Sequence, residues 1–390
     1  MAKIFFLVSR IPYPLEKGDK LRAYHQLKEL SKTHEVVLCC LSIGKADEKA
    51  VAHLREICTV EVVELNPFMI PFRLLFALFS SRPFQVHYFY QHPARRKIHH
   101  LIDQHTPDHI YCQLIRCSEY VKHIHHIPKT IDYMDAFNKG MERLASVSNW
   151  LKRQFWLSEA KRLVRYENLI FDYFDHHTII SEQDKQLIYH QNRKKIAVVP
   201  NGVDTTFFAP RNEEHTFDIV FTGNMSYLPN VDSAEYLVRD ILPLILSQRP
   251  QTKILLAGAT PSPRVKALAS ANVEVSGWLD DIRDAYAQST VFVAPMRIGT
   301  GLQNKLLEAM SMELPCLTSE LANNALDGKN GEQLFVCTDA QSFANETLRL
   351  LENPILREEM GKSGRLYVQE KFSWAASSKL LTEIMFAIKS

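Results

Sequence analysis

Long hydrophobic runs are missing from this sequence of 390 residues. The segment 68–79 is apolar, but Pro71 and Arg73 interrupt it, and it is shorter than the roughly 20 residues that a membrane-spanning helix needs. The apolar N-terminus (MAKIFFLVSR) has no extended positive region and no small-residue cleavage site, and Pro12 and Pro14 follow it. We therefore expect neither a transmembrane helix nor a signal peptide, and we interpret the first run as a buried strand.

Patterns that bind metals or form disulfides are also missing. The seven cysteines show no Cys-x2-Cys spacing, and the sequence contains no Asp-x-Asp. The histidine clusters at 99–100, 123–126 and 176–177 lack the His-x3-His spacing of metal ligands on a helix. We expect reduced thiols in a cytoplasmic protein, with no bound metal and no resident cofactor.

An excess of charge of one sign is missing too. The chain has 46 Lys and Arg against 44 Asp and Glu, a net charge of +2. Nucleic-acid-binding proteins usually carry a strong basic excess, so we expect no nucleic-acid partner. The hydrophobic fraction of 46% and the charged fraction of 23% are typical of a globular protein. The length suits two domains of roughly 150–200 residues each.

What the sequence does contain is two successive series of short apolar runs. Buried-strand patterns at 3–10, 35–42, 60–65, 109–114, 129–134 and 176–181 alternate with helix-length segments. After a Pro-Asn-Gly turn at 200–202, a second series begins, with strands predicted at 217–224, 252–258, 273–277, 291–295, 315–320 and 332–337. Such alternation predicts two doubly wound parallel α/β sheets that face a cleft. We place the domains at 1–199, closed by a returning C-terminal helix at 373–390, and at 200–372.

The segment 295–315 has the strongest features of a binding site. Two glycines precede a predicted helix at 302–311, and free N–H groups at a helix start favour phosphate. Lys305 and Glu308 are three residues apart and therefore share a helix face. The lysine suits a pyrophosphate, and the carboxylate suits two vicinal ribose hydroxyls. A surface Lys–Glu pair on an ordinary helix is the alternative.

Four segments together resemble glycosyltransferase family 4. They are GWLDDIRDAYAQSTVFVAPMRIGTGLQNKLLEAMSMELPCLTS (277–319), PNGVDTTFFAP (200–210), FTGNMSYLPN (221–230) and QEKFSWAASSKLL (369–381). The resemblance spans nearly the whole chain and looks closest to sugar transferases of exopolysaccharide systems. It implies the GT-B fold, a nucleotide-sugar co-substrate, metal-independent transfer and retention at the anomeric carbon.

The resemblance also implies a donor site in the C-terminal half. Glu308 matches the second Glu of the family's Glu-x7-Glu motif, which binds the ribose, whereas the first Glu is replaced by Thr300. The family's usual Arg after the first strand is Asn224 here, so we expect Arg297 to supply the missing cation. The expected donor-binding residues are Gly18, Gly223, Asn224, Arg297, Gly299, Thr300, Gly301, Leu302, Gln303, Lys305 and Glu308.

In the first half, Gly18 matches the family's glycine loop that approaches the donor phosphates. Arg22, one turn further on, is expected to reach the acceptor or a phosphate, with a solvated helix face as the alternative. Where many family members have a His, this chain has Asp132, followed by Asp135. We expect Asp132, Arg297 and Lys305 to be catalytic, and Arg22 and Asp135 to bind the acceptor. Asp135 has helix capping as its alternative role.

Two segments are candidates for contact with the inner surface of a membrane. Residues 149–167 interleave aromatic and basic side chains, and residues 68–79 are apolar. Core-facing helices with one solvated side are the alternative interpretation of both.

The expected function is transfer of a sugar from a nucleotide-diphosphate donor to a hydroxyl of a glycan or lipid-linked acceptor, in cell-surface or exopolysaccharide biosynthesis. Two alternatives share the scaffold. One is a nucleotide-sugar 2-epimerase, which would form an epimer from UDP-N-acetylglucosamine alone. The other is a non-catalytic binding subunit, for which the missing first Glu of the motif would be the reason.

Overall fold

The computed structural model describes residues 1–15, 17–146, 149–298 and 302–387. The chain divides into two compact units. The first comprises Met1–Pro200 together with Ser377–Ser390, and the second comprises Asn201–Ala376. The predicted boundaries at 199/200 and 372/373 lie one and four residues from these divisions.

The first unit is built on a seven-stranded parallel sheet in the order β3-β2-β1-β4-β5-β6-β7. Its strands coincide with the apolar runs of the first half of the sequence. They are β1 (Lys3–Val8), β2 (Glu35–Ile43), β3 (Thr59–Leu65), β4 (His109–Gln113), β5 (Lys129–Asp132), β6 (His176–Ile179) and β7 (Ala197–Val198).

Helices connect these strands and cover both faces of the sheet. They are α1 (Gly18–Leu30), α2 (Glu48–Arg55), α3 (Met69–Ala77), α4 (Phe84–Phe89), α5 (His92–His105), α6 (Ser118–Val121), α7 (Phe137–Ser146), α8 (Trp150–Phe171) and α9 (Glu182–Lys185), with a 3-10 turn at Arg193–Lys195.

The first strand shows why its run is continuously apolar. Successive side chains of a strand point to opposite faces, so Phe5 and Leu7 enter one hydrophobic cluster while Ile4 and Phe6 enter another. Both clusters are buried, as expected for a parallel sheet with helices on both faces.

The second unit has a six-stranded parallel sheet in the order β10-β9-β8-β11-β12-β13. Its strands are β8 (Phe217–Thr222), β9 (Ile254–Ala257), β10 (Val273–Gly277), β11 (Ser289–Ala294), β12 (Cys316–Ser319) and β13 (Phe335–Cys337). Its helices are α10 (Leu228–Tyr236), a π-helical turn (Leu237–Ile241), α11 (Leu242–Leu246), α12 (Pro263–Lys266), α13 (Ile282–Ala287), α14 (Asn304–Ser311), α15 (Glu320–Leu326), α16 (Ala340–Glu352) and α17 (Pro354–Lys371).

The last helix, α18 (Trp374–Met385), returns to the first unit. Its Leu381 and Met385 are buried in the cluster that contains Ile4 and Phe6. Ser377 donates from its Oγ to the carbonyl oxygen of Pro200, 2.5 Å away. The sequence predicted this returning helix at 373–390.

Each sheet has one switch point, where the strand order reverses. It lies between β1 and β4 in the first unit and between β8 and β11 in the second. In open α/β sheets, ligands bind beyond the carboxyl ends of the strands at this point. The loops that follow β1, β4, β8 and β11 are therefore the places to look for function.

The predicted fold class, α/β with two Rossmann-like parallel-sheet units, is confirmed. That the two sheets face a common cleft stays a prediction. Within the described ranges, none of the helices has the length and apolar character needed to cross a membrane.

Candidate functional site

The loop after β8 is tightly packed around Gly223 and against Gly258, which follows β9. Gly223 has φ +149°, and a Cβ added there would lie 2.6 Å from Nδ2 of Asn230 and 3.2 Å from Nζ of Lys305. Gly258 has φ +137°, and a Cβ on it would lie 1.9 Å from the carbonyl oxygen of Gly223. Both positions therefore require glycine, for backbone conformation and for space.

Lys305 lies in the first turn of α14, beneath this loop. Its Nζ donates a hydrogen bond to Oδ1 of Asn230 and lies 4.7 Å from the ring centre of Phe221. Asn230 in turn donates from Nδ2 to the carbonyl oxygen of Asn224, at 2.9 Å. The ammonium is thus held against the β8 loop, at the switch point of the sheet.

The environment of Lys305 disfavours its charge. Its side chain is partly accessible, but the protein that surrounds it desolvates the ammonium and lowers its pKa to about 7, with Glu308 opposing the change. A ligand with negative charge at this position would favour the protonated form.

Glu308, one turn further along α14, is fixed by a chain of hydroxyl groups. Tyr286 donates from its hydroxyl to Oε2 of Glu308 at 2.7 Å, and its oxygen lies 2.8 Å from Oγ1 of Thr222. Burial raises the pKa of the Glu308 carboxyl, while the Tyr286 hydrogen bond and the charge of Lys305 act in the opposite direction. Among the described residues, no hydrogen bond reaches Oε1. The Tyr286 hydroxyl therefore orients the carboxylate through Oε2, and both carboxylate oxygens keep lone pairs with which to accept from a ligand.

Arg297, predicted to be the cation of the donor site, is already paired. Its Nε and Nη2 donate to the two carboxylate oxygens of Asp232 at 3.1 and 2.9 Å, and its guanidinium lies 4.2 Å from the ring centre of Tyr236. The side chain is about half exposed, at 48%. Since one carboxylate neutralises it in place, Lys305 is the better-placed cation at the β8 loop.

The other predicted donor residues either contact their own loop or the core, or lie outside the residues that the structure describes. Oδ1 of Asn224 accepts hydrogen bonds from the backbone N–H and hydroxyl of Ser226, so this side chain shapes its own loop. Leu302 packs against the core, and Gln303 occupies the N-cap position of α14. The predicted contributions of Gly299, Thr300 and Gly301 lie outside the described residues.

The predictions for Arg22 and Asp132 need correction. Nε of Arg22 lies 2.7 Å from Oδ2 of Asp132, both side chains are 0% exposed, and Nη1 of Arg22 donates to the carbonyl oxygen of Val199 at 2.9 Å. Asp132 also accepts from Oγ1 of Thr178 at 3.0 Å. Neither residue has surface with which to touch an acceptor or a donor, and Arg22 does not lie on a solvated helix face. They form a buried ion pair that joins α1 to β5, because a buried charge needs a partner.

Asp135, two residues before α7, has an exposed carboxyl in the first unit. Its pKa is raised to about 7, first by desolvation and then by the carboxylates of Asp184, Asp132 and Asp19, with Arg22 opposing. Asp135 therefore keeps some surface accessible to solvent while the surrounding protein desolvates its carboxyl. A carboxyl that titrates near neutral pH suits proton transfer or hydrogen bonding to a hydroxyl. Its assignment to the acceptor stays a prediction.

Gly18 is the first residue of α1, and its Cβ position is open, so space does not require glycine there. The neighbouring Asp19 is the centre of a charged cluster that sequence reasoning missed. Oδ2 of Asp19 lies 3.2 Å from Nε of Arg10 and 3.9 Å from Nη1 of Arg116. Arg10 and Arg116 follow β1 and β4, so two cations share one carboxylate at the switch point of the first sheet.

Within the described residues, no three or more His, Cys, Asp or Glu side chains come together in a group that could hold a metal ion. All seven cysteines are free thiols.

Comparison with known proteins bears on the second unit most directly. The family model Glycosyl transferases group 1 matches residues 216–353, which contain the β8 loop, Lys305 and Glu308. Over 98% of this chain and 99% of its own length, an uncharacterized 44.6 kDa protein of the cps region of Klebsiella pneumoniae is 24% identical. A UDP-Gal:alpha-D-GlcNAc-diphosphoundecaprenol alpha-1,3-galactosyltransferase of Escherichia coli is 24% identical over 45% of this chain and 51% of its own length.

Solved structures with similar folds cover the whole chain. Sucrose-phosphate synthase from Thermosynechococcus elongatus has a TM-score of 0.70 at 16% identity, covering 98% of each chain. HepE of Anabaena, in complex with UDP-glucose, has a TM-score of 0.68 at 14% identity, covering 100% of each chain. The fold is that of the GT-B glycosyltransferases. Together with the family model and the relatives, it supports a glycosyltransferase role for this chain.

The close approach at Gly223 gives a prediction. Gly223→Ala places a methyl group against Asn230 and Lys305 at a strained φ, at a cost of about 1–3 kcal/mol. We expect it to displace the Lys305 ammonium and to weaken nucleotide binding at least about tenfold, which isothermal titration calorimetry measures. Gly140→Ala, in α7 with open space at its Cβ, is the control. Unchanged nucleotide affinity in Gly223→Ala would show that this close approach does not shape the binding site.

Proposed function

We propose that this protein is a nucleotide-sugar-dependent glycosyltransferase of family 4 type, with its donor site at the switch point of the second unit. The observation that carries the proposal is the pair of side chains on one face of α14. Lys305 is held against the β8 loop by Asn230, and Glu308 is oriented by Tyr286. A cation and a carboxylate, one helical turn apart, match the diphosphate and the ribose of a nucleotide.

In this proposal the two residues have separate tasks. Glu308 accepts hydrogen bonds from the vicinal ribose hydroxyls, since a carboxylate accepts through two oxygens. Lys305 and the N–H groups at the start of α14 face the diphosphate and stabilise the negative charge that grows as the sugar leaves. The bond between the anomeric carbon and the phosphate oxygen breaks, and its electron pair leaves with the diphosphate. The acceptor oxygen bonds to that carbon, and the departing diphosphate takes up the proton of the acceptor hydroxyl.

We further propose that transfer retains the anomeric configuration and needs neither a metal nor a resident cofactor, with protein cations meeting the diphosphate. Arg297 would contribute only after releasing Asp232. Asp135 is the proposed acceptor contact in the first unit, and Gly18 and residues 299–301 complete the proposed donor contacts.

The acceptor that we propose is a glycan hydroxyl on a lipid-linked intermediate of a cell-surface polysaccharide. Two relatives support this class. One belongs to a cps region, and the other is named for a diphosphoundecaprenol-linked acceptor. Such a role places the protein in the cytoplasm, in peripheral contact with the inner membrane surface.

A donor panel tests the function. UDP-, GDP-, dTDP- and ADP-sugars are incubated with the protein and lipid-linked acceptors, and nucleoside diphosphate release and product mass are measured. We expect diphosphate release with one nucleotide class, dependent on the acceptor. An epimer formed from UDP-N-acetylglucosamine without acceptor would indicate the epimerase instead. Nucleotide binding without turnover on any combination would indicate a binding subunit.

The pKa of Lys305 predicts how donor binding depends on pH. Near pH 7 the ammonium is partly deprotonated in the free protein, and a bound diphosphate favours its charged form, so binding takes up a proton. We expect the affinity for nucleoside diphosphate to fall as the pH rises above about 7. Calorimetry in buffers of different ionisation enthalpy measures the proton uptake, and Lys305→Met should abolish it.

The same pKa fixes the sign of a stability effect in the free protein. Between about pH 7 and 10.5 the unfolded chain keeps a proton that folded Lys305 has lost, so this group makes folding more favourable as the pH rises.

For the binding experiment, nucleotide binding to the wild-type protein without proton uptake between pH 7 and pH 8 would contradict the assigned environment of Lys305.

A further inference from the structure

The first unit exposes an apolar surface on and beside α3. Six large side chains of this surface, which we call the α3 face, are more than half exposed. They are Phe68 (81%), Phe72 (63%), Leu75 (58%), Phe76 (68%), Leu78 (55%) and Phe79 (88%). Contiguous apolar surface of this kind is rare on a protein without a partner and indicates an interaction site.

The composition of α3 explains why the protein itself does not cover this surface. The helix is apolar around nearly its whole circumference, yet only Ile70 and Ala77 are buried. A helix that is apolar on all sides is normally surrounded by protein or lipid. Here one side is anchored to the first unit, and the other sides face outwards.

Helix α8 packs beside this surface. Arg162, in the middle of α8, donates from Nη1 to the carbonyl oxygen of Ala77 at 2.5 Å, and the rings of Phe155 of α8 and Phe84 of α4 are 5.0 Å apart. Phe155 is 40% exposed, and Trp150, at the first position of α8, is 71% exposed. The N-terminal half of α8 thus adds exposed aromatic side chains to those of the α3 face in the first unit.

The sequence segments that contain these helices carry charge of one sign. No Asp or Glu occurs between Glu64 and Asp103, whereas Arg73, Arg82, Arg95, Arg96 and Lys97 do. No Asp or Glu occurs between Glu142 and Glu159 either, whereas Arg143, Lys152 and Arg153 do. Arg82 is paired with the buried Glu119 at 3.1 Å, whereas Lys152 and Arg153 are exposed. Exposed cations in the same unit as an apolar surface suit a partner that is both apolar and anionic.

We propose that the α3 face and the exposed start of α8 dock onto an anionic phospholipid bilayer. The aromatic and aliphatic side chains enter the boundary between headgroups and acyl chains, and Lys152 and Arg153, both exposed, contact lipid phosphates. A second copy of the chain is a poorer occupant. A symmetric interface would bring the same cationic segments together, and like charges repel. The bilayer supplies both required properties at once.

Vesicle co-sedimentation tests the proposal without donor or acceptor, so its outcome is independent of the proposed enzymatic activity. The full chain is mixed with vesicles of equal parts phosphatidylglycerol and phosphatidylcholine, or of phosphatidylcholine alone. We expect binding to the anionic vesicles, weakened by salt. Phe72→Ser/Phe76→Ser should reduce the partition coefficient at least about tenfold. The matched control is Ile355→Ser/Leu366→Ser, because these side chains are similarly exposed (71% and 60%) on α17 in the second unit.

A second pair of variants tests the electrostatic part. Lys152→Glu/Arg153→Glu should weaken binding to anionic vesicles about tenfold or more, and Lys194→Glu/Lys195→Glu, an exposed adjacent pair elsewhere on the first unit, should not. Thermal melting checks that each variant folds. The proposal is overturned if the wild-type protein binds neither kind of vesicle. It is also overturned if the control variants lose as much binding as the variants of the α3 face and of α8. A concentration-dependent dimer in sedimentation, abolished by Phe72→Ser/Phe76→Ser, would assign the surface to a second copy instead.

Discussion

Replacing Glu308 by alanine is expected to weaken nucleoside diphosphate binding about 100-fold. The carboxylate is positioned by Tyr286, at 2.7 Å, so that it can accept from two ribose hydroxyls. Hydrogen bonds to a charged group contribute about 1.5–3 kcal/mol each, so losing two amounts to about 3 kcal/mol or more. Titration calorimetry with UDP, GDP, dTDP and ADP measures the loss against wild type.

Three further variants separate ribose binding from general disturbance of the site. Glu308→Gln keeps the shape and loses the charge, so we expect an intermediate loss of affinity. Tyr286→Phe removes the hydroxyl that orients the carboxylate and should cost about tenfold or less. Glu320→Ala removes an exposed carboxylate at the first position of α15 and should bind like wild type. If Glu308→Ala binds every nucleotide as well as wild type, the donor site is misassigned.

Breaking the buried pair of Arg22 and Asp132 is expected to be the most destabilising single change in the first unit. Either Arg22→Met or Asp132→Asn leaves a partner with 0% exposure without its counterpart, at a cost of about 3–5 kcal/mol. The double variant Arg22→Met/Asp132→Leu removes both charges and should recover much of that loss. Urea denaturation followed by circular dichroism and tryptophan fluorescence measures the free energies of unfolding.

An exposed ion pair provides the comparison. Arg264 pairs with Glu235 in the second unit with 57% of its side chain exposed, so Arg264→Met should leave the free energy of unfolding close to that of wild type. A catalytic Asp132 would behave differently. Asp132→Asn would then fold with wild-type stability and lose turnover alone, and that result would reverse the correction made for this residue.

The fold could be predicted because its signal is local. In a parallel sheet covered on both faces, every position of a strand is buried, so runs such as KIFFLV and EVVLCC stand out without knowledge of their neighbours. The returning helix α18 was predictable because its segment is apolar and because QEKFSWAASSKLL resembles the closing helix of family 4.

The site was predictable only in part, because spacing along one helix is local and contacts between elements are not. Lys305 and Glu308 share a face of α14, which the sequence predicts. Their partners Asn230 and Tyr286 lie 75 and 22 positions away on other helices, and no periodicity relates them. The roles predicted for Arg22 and Asp132 were wrong for the same reason. They are 110 positions apart, and a charge that looks solvated in sequence can be buried once a distant carboxylate neutralises it.

Hydrogen–deuterium exchange with bound nucleotide tests the central claim most directly, because it locates the donor on the chain. The protein is exchanged alone and with saturating UDP, GDP, dTDP or ADP, and peptides are compared. The account predicts that at least one nucleotide slows exchange in residues 223–231, at the β8 loop, and in 302–311, along α14. Protection confined to residues 1–200, or no protection with any of the four nucleotides, would contradict it.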